Sequence, residues 1–320
     1  MIEYPSPNFG PRPVDAVIDM LVVHYTGMAG AEEALARLCD PGSQVSAHYV
    51  IDEDGTPYRL VGEEERAWHA GEASWSGISN INDVSIGVEL VNPGHEFGYL
   101  PFTQAQMDVF TDLATGVIGR HPIPPKRVLG HSDVAPGRKT DPGELFDWQG
   151  AADAGIGLWP KVLGGADDGE ILFAPGEKDP VIVEIQRQLA AFGYGVGMGG
   201  ILDSPTREVV AAFQRHFRPE KVDGAIDRAT VRRLEALTRL AACRRRFSVL
   251  PKNCQMAGWL PFGAPWRHRG EESPGSTETR CRVTPGGGDP RESATESKPP
   301  SRFGLGARVK GCGKSAPRRR

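Results

Sequence analysis

The stretch SIGVELV (residues 85–91) is a short apolar run that contains one carboxylate, Glu89. Its β-branched residues are typical of a β-strand. Three further runs have the same character: DMLVVHY (19–25), SAHYVID (46–52) and KRVLGH (126–131). Helical patterns separate these runs. Apolar strands that alternate with helices predict a sheet covered by helices, so we expect an α/β domain.

The clearest helical pattern begins at Thr103, which forms the sequence of a capping box with Gln106. Apolar residues then recur at intervals of three and four positions, as on one face of a helix. This face comprises Met107, Phe110, Leu113, Ala114, Val117 and Ile118. The pattern predicts an α-helix that packs on the sheet.

Residues 150–178 are dominated by Gly, Ala and Asp, and we interpret them as a linker that connects without packing. Residues 179–241 carry three helical patterns and predict a small three-helix domain. The second pattern opens with Ser204 as the predicted cap and Pro205 at the first helical position. The apolar positions of the three patterns are Ile182, Ile185, Leu189 and Phe192; Val209, Val210, Phe213 and Phe217; and Val231, Leu234 and Leu237.

The net charge of −4 is the sum of a basic C-terminal part and an acidic remainder of the chain. From residue 242 onward 17 Lys and Arg stand against 6 Asp and Glu, whereas the remainder has 20 against 35. The basic part, residues 242–320, is rich in Pro, Gly, Ser and Arg and shows no period, so we predict a disordered tail. Its charges are dispersed and interleaved with acidic residues. We therefore do not expect it to bind nucleic acid.

The chain has no run of about 18 apolar residues, so we expect no transmembrane segment. Its first residues, MIEYPSPNFGPRP, have neither the basic start nor the apolar core of a secretory signal. This favours a cytoplasmic location, with the periplasm or cell envelope as the alternative. The five cysteines show no metal-like spacing and predict neither a disulfide framework nor a zinc knuckle. A monomer is assumed.

Polar residues with catalytic potential lie at or in the predicted strands. His24 falls near the end of one strand, Glu89 interrupts a second, and His131 follows a third. A carboxylate within an apolar strand costs several kcal/mol unless it meets a cation, a metal or a hydrogen-bond network. Two histidines and one carboxylate can hold Zn²⁺ and leave its fourth position open. We therefore expect His24, His131 and Asp141 to be zinc ligands.

Zinc would lower the pKa of a bound water to about 7 and polarise a substrate carbonyl. Glu89 then suits the role of general base, and Lys139 could stabilise the oxyanion that forms on attack. Each residue also has a plainer interpretation. His24 is compatible with a hydrogen-bonded histidine at a strand end, Asp141 with a turn residue before Pro142, and Lys139 with a solvated side chain.

Five blocks of sequence strengthen the interpretation as a zinc enzyme. They occur in order between about residues 7 and 148: HYTG (24–27), SAHYVIDEDG (46–55), AWHAGEASWSG (67–77), NDVSIGVELVNPG (82–94) and GHSDVAPGRKTDPGELFDW (130–148). Together they resemble the zinc-dependent N-acetylmuramoyl-L-alanine amidases of the AmpD and AmiD type, a family that includes peptidoglycan recognition proteins. The resemblance implies a catalytic domain over residues 7–149 with a central mixed β-sheet flanked by helices.

The resemblance also implies the reaction and the site. The family hydrolyses the amide between the lactyl group of N-acetylmuramic acid and the L-alanine of the stem peptide, in peptidoglycan or muropeptides. Its zinc ligands fall on His24, His131 and Asp141, its catalytic glutamate on Glu89 and its catalytic lysine on Lys139.

Three further residues within these blocks receive separate interpretations. We expect His48 to be structural or to support a ligand from behind. Trp68 and His69 occupy a segment that resembles the family's substrate cleft, and we expect substrate contact or simple packing there.

Residues 179–240 are similar to the three-helix peptidoglycan-binding domain of wall hydrolases, although GMGGILDSPT (197–206) departs from the usual first repeat. Such a module would raise the effective concentration of substrate. The alternative function is a non-catalytic protein that recognises peptidoglycan. A zinc peptidase ranks last because no HExxH motif occurs.

Overall fold

The structure, a computed structural model, describes residues 1–165 and 168–247. The predicted disordered tail lies outside the described residues from position 248 onward. Its first residues, ACRRRF (242–247), continue the last helix, which ends at Phe247 rather than at the boundary predicted at residue 241. Ala and Arg are among the residues that favour helices most, which accounts for the longer helix.

A six-stranded mixed sheet forms the centre of the first part of the chain. In sheet order its strands are β1 (Ile2–Glu3), β5 (Pro57–Arg59), β4 (Tyr49–Ile51), β7 (Ser85–Leu90), β3 (Met20–Tyr25) and β8 (Val128–Gly130). The last four strands in this order pair in parallel, and β5 is antiparallel to β4. The predicted α/β class with a mixed sheet is confirmed.

The four strands predicted from apolar runs are β3, β4, β7 and β8. Their side chains are mostly buried, as expected for strands covered on both faces. The remaining strands were not predicted, because they are two or three residues long and lie outside these four apolar runs. Besides β1 and β5 these are β2 (Phe9–Pro11), β6 (Glu65–Ala67), β9 (Ile171–Phe173) and β10 (Ile226–Asp227).

Helices cover the sheet and form the second part of the chain. Their bounds are α1 (Ala31–Cys39), α2 (Ile81–Val84), α3 (Gly94–Phe97), α4 (Gln104–Arg120), α5 (His131–Val134), α6 (Trp148–Asp153), α7 (Pro180–Phe192), α8 (Ser204–Phe217) and α9 (Arg228–Phe247). The capping box of α4 is confirmed: Thr103 Oγ1 accepts from the Gln106 amide and Gln106 Oε1 from the Thr103 amide. No described helix has both the length and the apolar character needed to cross a membrane.

The three predicted helices of the second part are α7, α8 and α9, and most of their predicted apolar positions are buried. The predicted cap of α8 is wrong by one residue. Asp203 precedes the helix and its carboxylate accepts from the Thr206 amide, while Ser204 is the first helical residue. A carboxylate with extended backbone reaches that amide, so the cap moves to Asp203.

The segment predicted to connect without packing does pack in part. Ala151, Ile156 and Leu158 are buried, and β9 pairs with β10. Leu158 belongs to a core that also contains Met20 of the sheet and Ile182 of α7. The few apolar residues of this Gly- and Asp-rich segment therefore pack at the boundary between the sheet and the helices. Both parts belong to one compact unit.

Candidate metal and active site

The chemically active side chains collect at the edge of the sheet where β3, β7 and β8 end. β3 and β7 pair in parallel with His24 opposite Glu89. β8 lies on the other side of β3, and His131 follows it as the first residue of α5. The carboxyl ends of parallel strands share one edge of a sheet, so residues 107 positions apart meet there.

His24, His131 and Asp141 converge on one point. The two histidine Nδ1 atoms are 3.0 Å apart, and Asp141 Oδ2 lies 3.0 Å from that of His24 and 2.9 Å from that of His131. Ligands about 2.0–2.1 Å from a tetrahedral ion are about 3.3 Å from one another, so the triangle is close to the size that zinc would need. All three residues are buried. Among the described residues they form a candidate metal site.

His24 is held from behind through its second ring nitrogen. Its Nε2 lies 3.0 Å from His69 Nδ1, and His69 Nε2 lies 3.1 Å from Ser85 Oγ. Because His24 Nδ1 faces the other ligands, its proton belongs on Nε2, which then donates to His69. His69 in turn donates to Ser85, whose hydroxyl donates to the Ile81 carbonyl at 2.7 Å. Each group therefore donates to the next one, from His24 to His69, from His69 to Ser85, and from Ser85 to the Ile81 carbonyl.

His131 has a support of the same kind. Its Nε2 donates to the Ala70 carbonyl at 2.9 Å, which leaves Nδ1 free to bind a cation. Arg138 donates to the same carbonyl at 2.6 Å. The block AWHAG (67–71) therefore orients both histidines, His24 through a side chain and His131 through the backbone.

The protonation states fit a cation site. Burial lowers the pKa of His24 to about 4, and the neighbouring His131 adds to the effect. Burial by itself would raise the pKa of Asp141, but the charge and hydrogen bond of His131 and the hydrogen bond of His24 outweigh it and lower that pKa. A neutral His24 and an ionised Asp141 are the forms that bind a metal.

Glu89 faces the same region in a different state. Burial raises its pKa well above the usual value, and the negative charge of Asp141 adds to the rise, while Lys139 opposes it. Its Oε2 is buried with no hydrogen-bond partner among the described residues. An unpaired buried carboxylate oxygen is costly, so this atom is placed to take a proton or a hydrogen bond from a molecule in the cleft.

A cleft of about 330 Å³ opens over these residues. Lys139 and Trp68 line it together with the candidate ligands, and both are half-buried. His69 lines it as well, yet both of its ring nitrogens are engaged by His24 and Ser85. Packing behind a ligand, rather than substrate contact, is therefore what the geometry of His69 favours.

His48 lies on the far side of His69 and has a structural role. Its Nδ1 accepts from the Gly87 amide at 3.0 Å, and its Nε2 lies 3.0 Å from the Arg12 guanidinium and 3.2 Å from the Glu65 carbonyl. Burial lowers its pKa to about 3, with the charge of Arg12 as the next cause. The prediction of a structural residue agrees with this position.

Sequence reasoning missed the supporting shell. The links from His24 through His69 to Ser85, from His131 to the Ala70 carbonyl, and from Arg138 to the same carbonyl were not predicted. One signal was available: His69 follows Trp68 in a block that resembles the family's substrate cleft, but its partner His24 lies 45 positions away. Only the folded chain shows that pairing.

Fold and site together define the class: a hydrolytic enzyme of mixed α/β fold with a candidate metal site. The family model described as N-acetylmuramoyl-L-alanine amidase matches residues 14–144, and one described as a peptidoglycan binding domain matches residues 178–234. The N-acetylmuramoyl-L-alanine amidase AmiD of Escherichia coli (strain K12) is 38% identical over 236 residues, which cover 69% of this chain and 82% of that relative. The chain belongs to the N-acetylmuramoyl-L-alanine amidase family.

A second relative and two solved structures are also similar to this chain. The 1,6-anhydro-N-acetylmuramyl-L-alanine amidase AmpD of Haemophilus influenzae is 33% identical over 162 residues, which cover 45% of this chain and 86% of that protein. The structure of the E. coli amidase AmiD with anhydro-N-acetylmuramic acid-L-Ala-D-γ-Glu-L-Lys has a TM-score of 0.60 at 36% identity and covers 72% of this chain and 92% of that one. AmpDh3 of Pseudomonas aeruginosa with an anhydromuramic pentapeptide has a TM-score of 0.60 at 31% identity, over 70% of this chain and 92% of that one.

Proposed function

We propose that this amidase is zinc-dependent and hydrolyses the amide between the lactyl group of N-acetylmuramic acid and the L-alanine of the stem peptide. The observation that carries the proposal is the triangle of His24 Nδ1, His131 Nδ1 and Asp141 Oδ2, with all edges near 3 Å, together with Glu89 Oε2, which has no hydrogen-bond partner among the described residues. Two imidazoles and one carboxylate are a ligand set of catalytic zinc sites.

The chain's own groups supply the rest of the chemistry. Zinc, when bound, would polarise the amide carbonyl and make water acidic enough to react at neutral pH. Glu89 would accept the proton of the attacking water and deliver it to the leaving amine of L-alanine, a task that suits a carboxylate with a raised pKa. Lys139 would donate to the carbonyl oxygen as negative charge develops there.

The substrate class follows from the relatives and the cleft. The anhydromuramyl peptides bound to the E. coli and P. aeruginosa enzymes suggest muropeptide fragments, which points to cell-wall recycling. Arg37 and Arg138 line the cleft and suit the carboxylates of a stem peptide. The peptidoglycan-binding match at residues 178–234 leaves intact wall as a second substrate. The proposal also includes a catalytic domain over residues 7–149, a monomeric state, and a cytoplasmic location with the periplasm or cell envelope as the alternative.

The decisive experiment is mass spectrometry of a defined anhydromuramyl tripeptide incubated with the purified protein as isolated, after chelation, and after zinc is restored. We expect free tripeptide beginning with L-alanine, its loss on chelation and its return with zinc. Cleavage that survives chelation would contradict the metal dependence. Binding without cleavage in all three states would favour the non-catalytic recognition protein.

A further inference from the structure

Asp133 is a buried carboxylate two positions after His131, and side chains of the three-helix module hold it. Its Oδ1 accepts from the Tyr194 hydroxyl at 2.5 Å, and its Oδ2 lies 2.7 Å from His216 Nδ1. The only other hydrogen bond described for it comes from the Gly130 amide at 2.8 Å, within its own segment. Side-chain support for Asp133 thus comes from α8 and the loop before it.

His216 is fixed in the position that this contact requires. Its ring stacks on Trp148 with centroids 3.7 Å apart, and on Phe217 at 3.8 Å. The ring is therefore clamped between the segment after Asp141 and its own helix. Tyr194 is equally constrained, because its ring packs edge-on against Trp75 at 4.8 Å. Both donors approach Asp133 with little freedom to move.

The backbone around Asp133 is tied to the module as well. Val134 shares a core with Phe213 of α8. Its carbonyl accepts from the Ser74 amide at 2.7 Å, in the loop between β6 and α2, and that loop contacts the module in turn. The Ser76 amide donates to the Gly193 carbonyl at 2.8 Å. A side chain at Gly193 would lie 2.3 Å from the indole of Trp75, so the contact is close. The helix that begins with His131 is thus seated on the three-helix module.

We propose that the three-helix module is a positioning part of the metal site: Tyr194 and His216 hold Asp133, and through it the short helix α5 that presents His131. The inference rests on the proposed function, since it assumes that His131 binds the metal. It assigns the module a task separate from holding peptidoglycan. A module that served only as a wall anchor would have no need to place two donors on a carboxylate beside a metal ligand.

The test is the zinc affinity of the full chain carrying Tyr194→Phe together with His216→Phe, measured by competition with a chelator. Tyr194→Phe removes only the hydroxyl, and His216→Phe replaces the imidazole donor by a somewhat larger aromatic ring that can still stack on Trp148. We expect zinc affinity to fall by about 10-fold or more, as for other groups that support a ligand from behind. Cobalt substitution should give a visible spectrum altered from that of the unsubstituted chain. Turnover of a soluble anhydromuramyl tripeptide, which needs no wall anchor, should fall in kcat.

Leu234→Ala is the matched control, because it weakens the core of the module without touching Asp133. It should lower the melting temperature and leave zinc affinity within about 2-fold. If the double variant does not fold, the same measurements are made on Tyr194→Phe alone, since that substitution removes only one hydroxyl. Zinc affinity and cobalt spectrum unchanged by loss of the donors would overturn the inference. Failure of the unsubstituted chain to bind zinc would instead overturn the proposed function.

Discussion

Gly87 of β7 sets the position of His69 at the scale of single residues. A Cβ at this glycine would lie 2.5 Å from His69 Cγ, closer than side-chain contacts allow. The absence of a side chain at this strand position lets the imidazole approach the strand and reach His24 Nε2. The glycine in SIGVELV is therefore explained by the supporting shell of the candidate metal site.

Gly87→Ala should displace His69 and weaken metal binding. We expect zinc affinity to fall by about 10- to 100-fold, the usual loss when the group behind a metal-binding histidine is disturbed. Chelator competition measures it. Gly119→Ala is the control, since nothing lies within 4 Å of the added Cβ on α4. It should stabilise the helix by about 0.5–1 kcal/mol without changing zinc affinity. Equal zinc affinity in the two variants would contradict the role of His69.

Glu89→Gln should remove the general base while keeping the shape of the side chain. We expect kcat to fall by about 10²- to 10⁴-fold, because an amide cannot accept the proton of the attacking water. Zinc affinity should be retained. Glu96→Gln is the matched control: it changes an exposed carboxylate that lines the same cleft. The kcat of both variants is measured on the soluble anhydromuramyl tripeptide. Comparable losses of kcat in the two variants would refute the assignment of the general base to Glu89.

Glu63 illustrates stabilisation at the scale of elements. It lies between β5 and β6 and accepts hydrogen bonds from Tyr49 of β4 and from Arg120 and His121 at the end of α4. Burial alone would raise its pKa, but the bonds from Arg120, Tyr49 and His121 lower it to about 2. One carboxylate thus ties the sheet to the end of its covering helix.

The stability that Glu63 supplies should depend on pH in a defined way. A carboxyl with a pKa of about 2 in the folded chain and about 4.5 when unfolded stabilises fully above pH 4.5 and ceases to do so as the pH falls toward 2. We expect Glu63→Gln to cost about 2–3 kcal/mol at pH 7, measured by urea unfolding. The gap to the unsubstituted chain should close below pH 4.5. Glu64→Gln, at the exposed neighbour, should show no such pH-dependent gap.

The part of the fold that could be predicted consists of the strands within apolar runs and the helices with an apolar face. The runs at β3, β7 and β8 and the face of α4 read directly, because burial selects apolar residues at a fixed spacing. Strands outside the apolar runs, such as β2 and β6, were not predicted, since pairing with a distant strand and not local composition forms them. The cap at Asp203 was misplaced by one residue for a local reason: Asp203 and Ser204 can both cap.

The whole molecule shares one core between its two matched parts. The sheet residues Met20 and Leu129 pack in the same cluster as Phe213 and Leu237 of the helices. Family models match the two parts separately, at residues 14–144 and 178–234. A shared core should make them unfold together.

Leu237→Ala tests this cooperativity. Leu237 is fully buried in α9, so the substitution should cost about 2–5 kcal/mol. We expect the far-UV circular dichroism transition and the release of zinc to move together to lower urea concentration. Leu163→Ala, at a leucine that is 93% exposed, should change stability by about 0.5 kcal/mol or less. Zinc release that keeps its midpoint in Leu237→Ala would show two independent units.

The sequence by itself determined the α/β class and the helices of the three-helix module, and it predicted the residues of the candidate site. Local periodicity specifies elements, and the strand-end chemistry together with the five blocks that resemble the amidase family points to His24, Glu89, His131, Lys139 and Asp141. The tertiary structure alone decided which groups support them: His69 behind His24, Ala70 behind His131, and Tyr194 and His216 on Asp133. The reason is that a hydrogen bond depends on atoms within about 3 Å, and chain folding rather than sequence neighbourhood brings those atoms together.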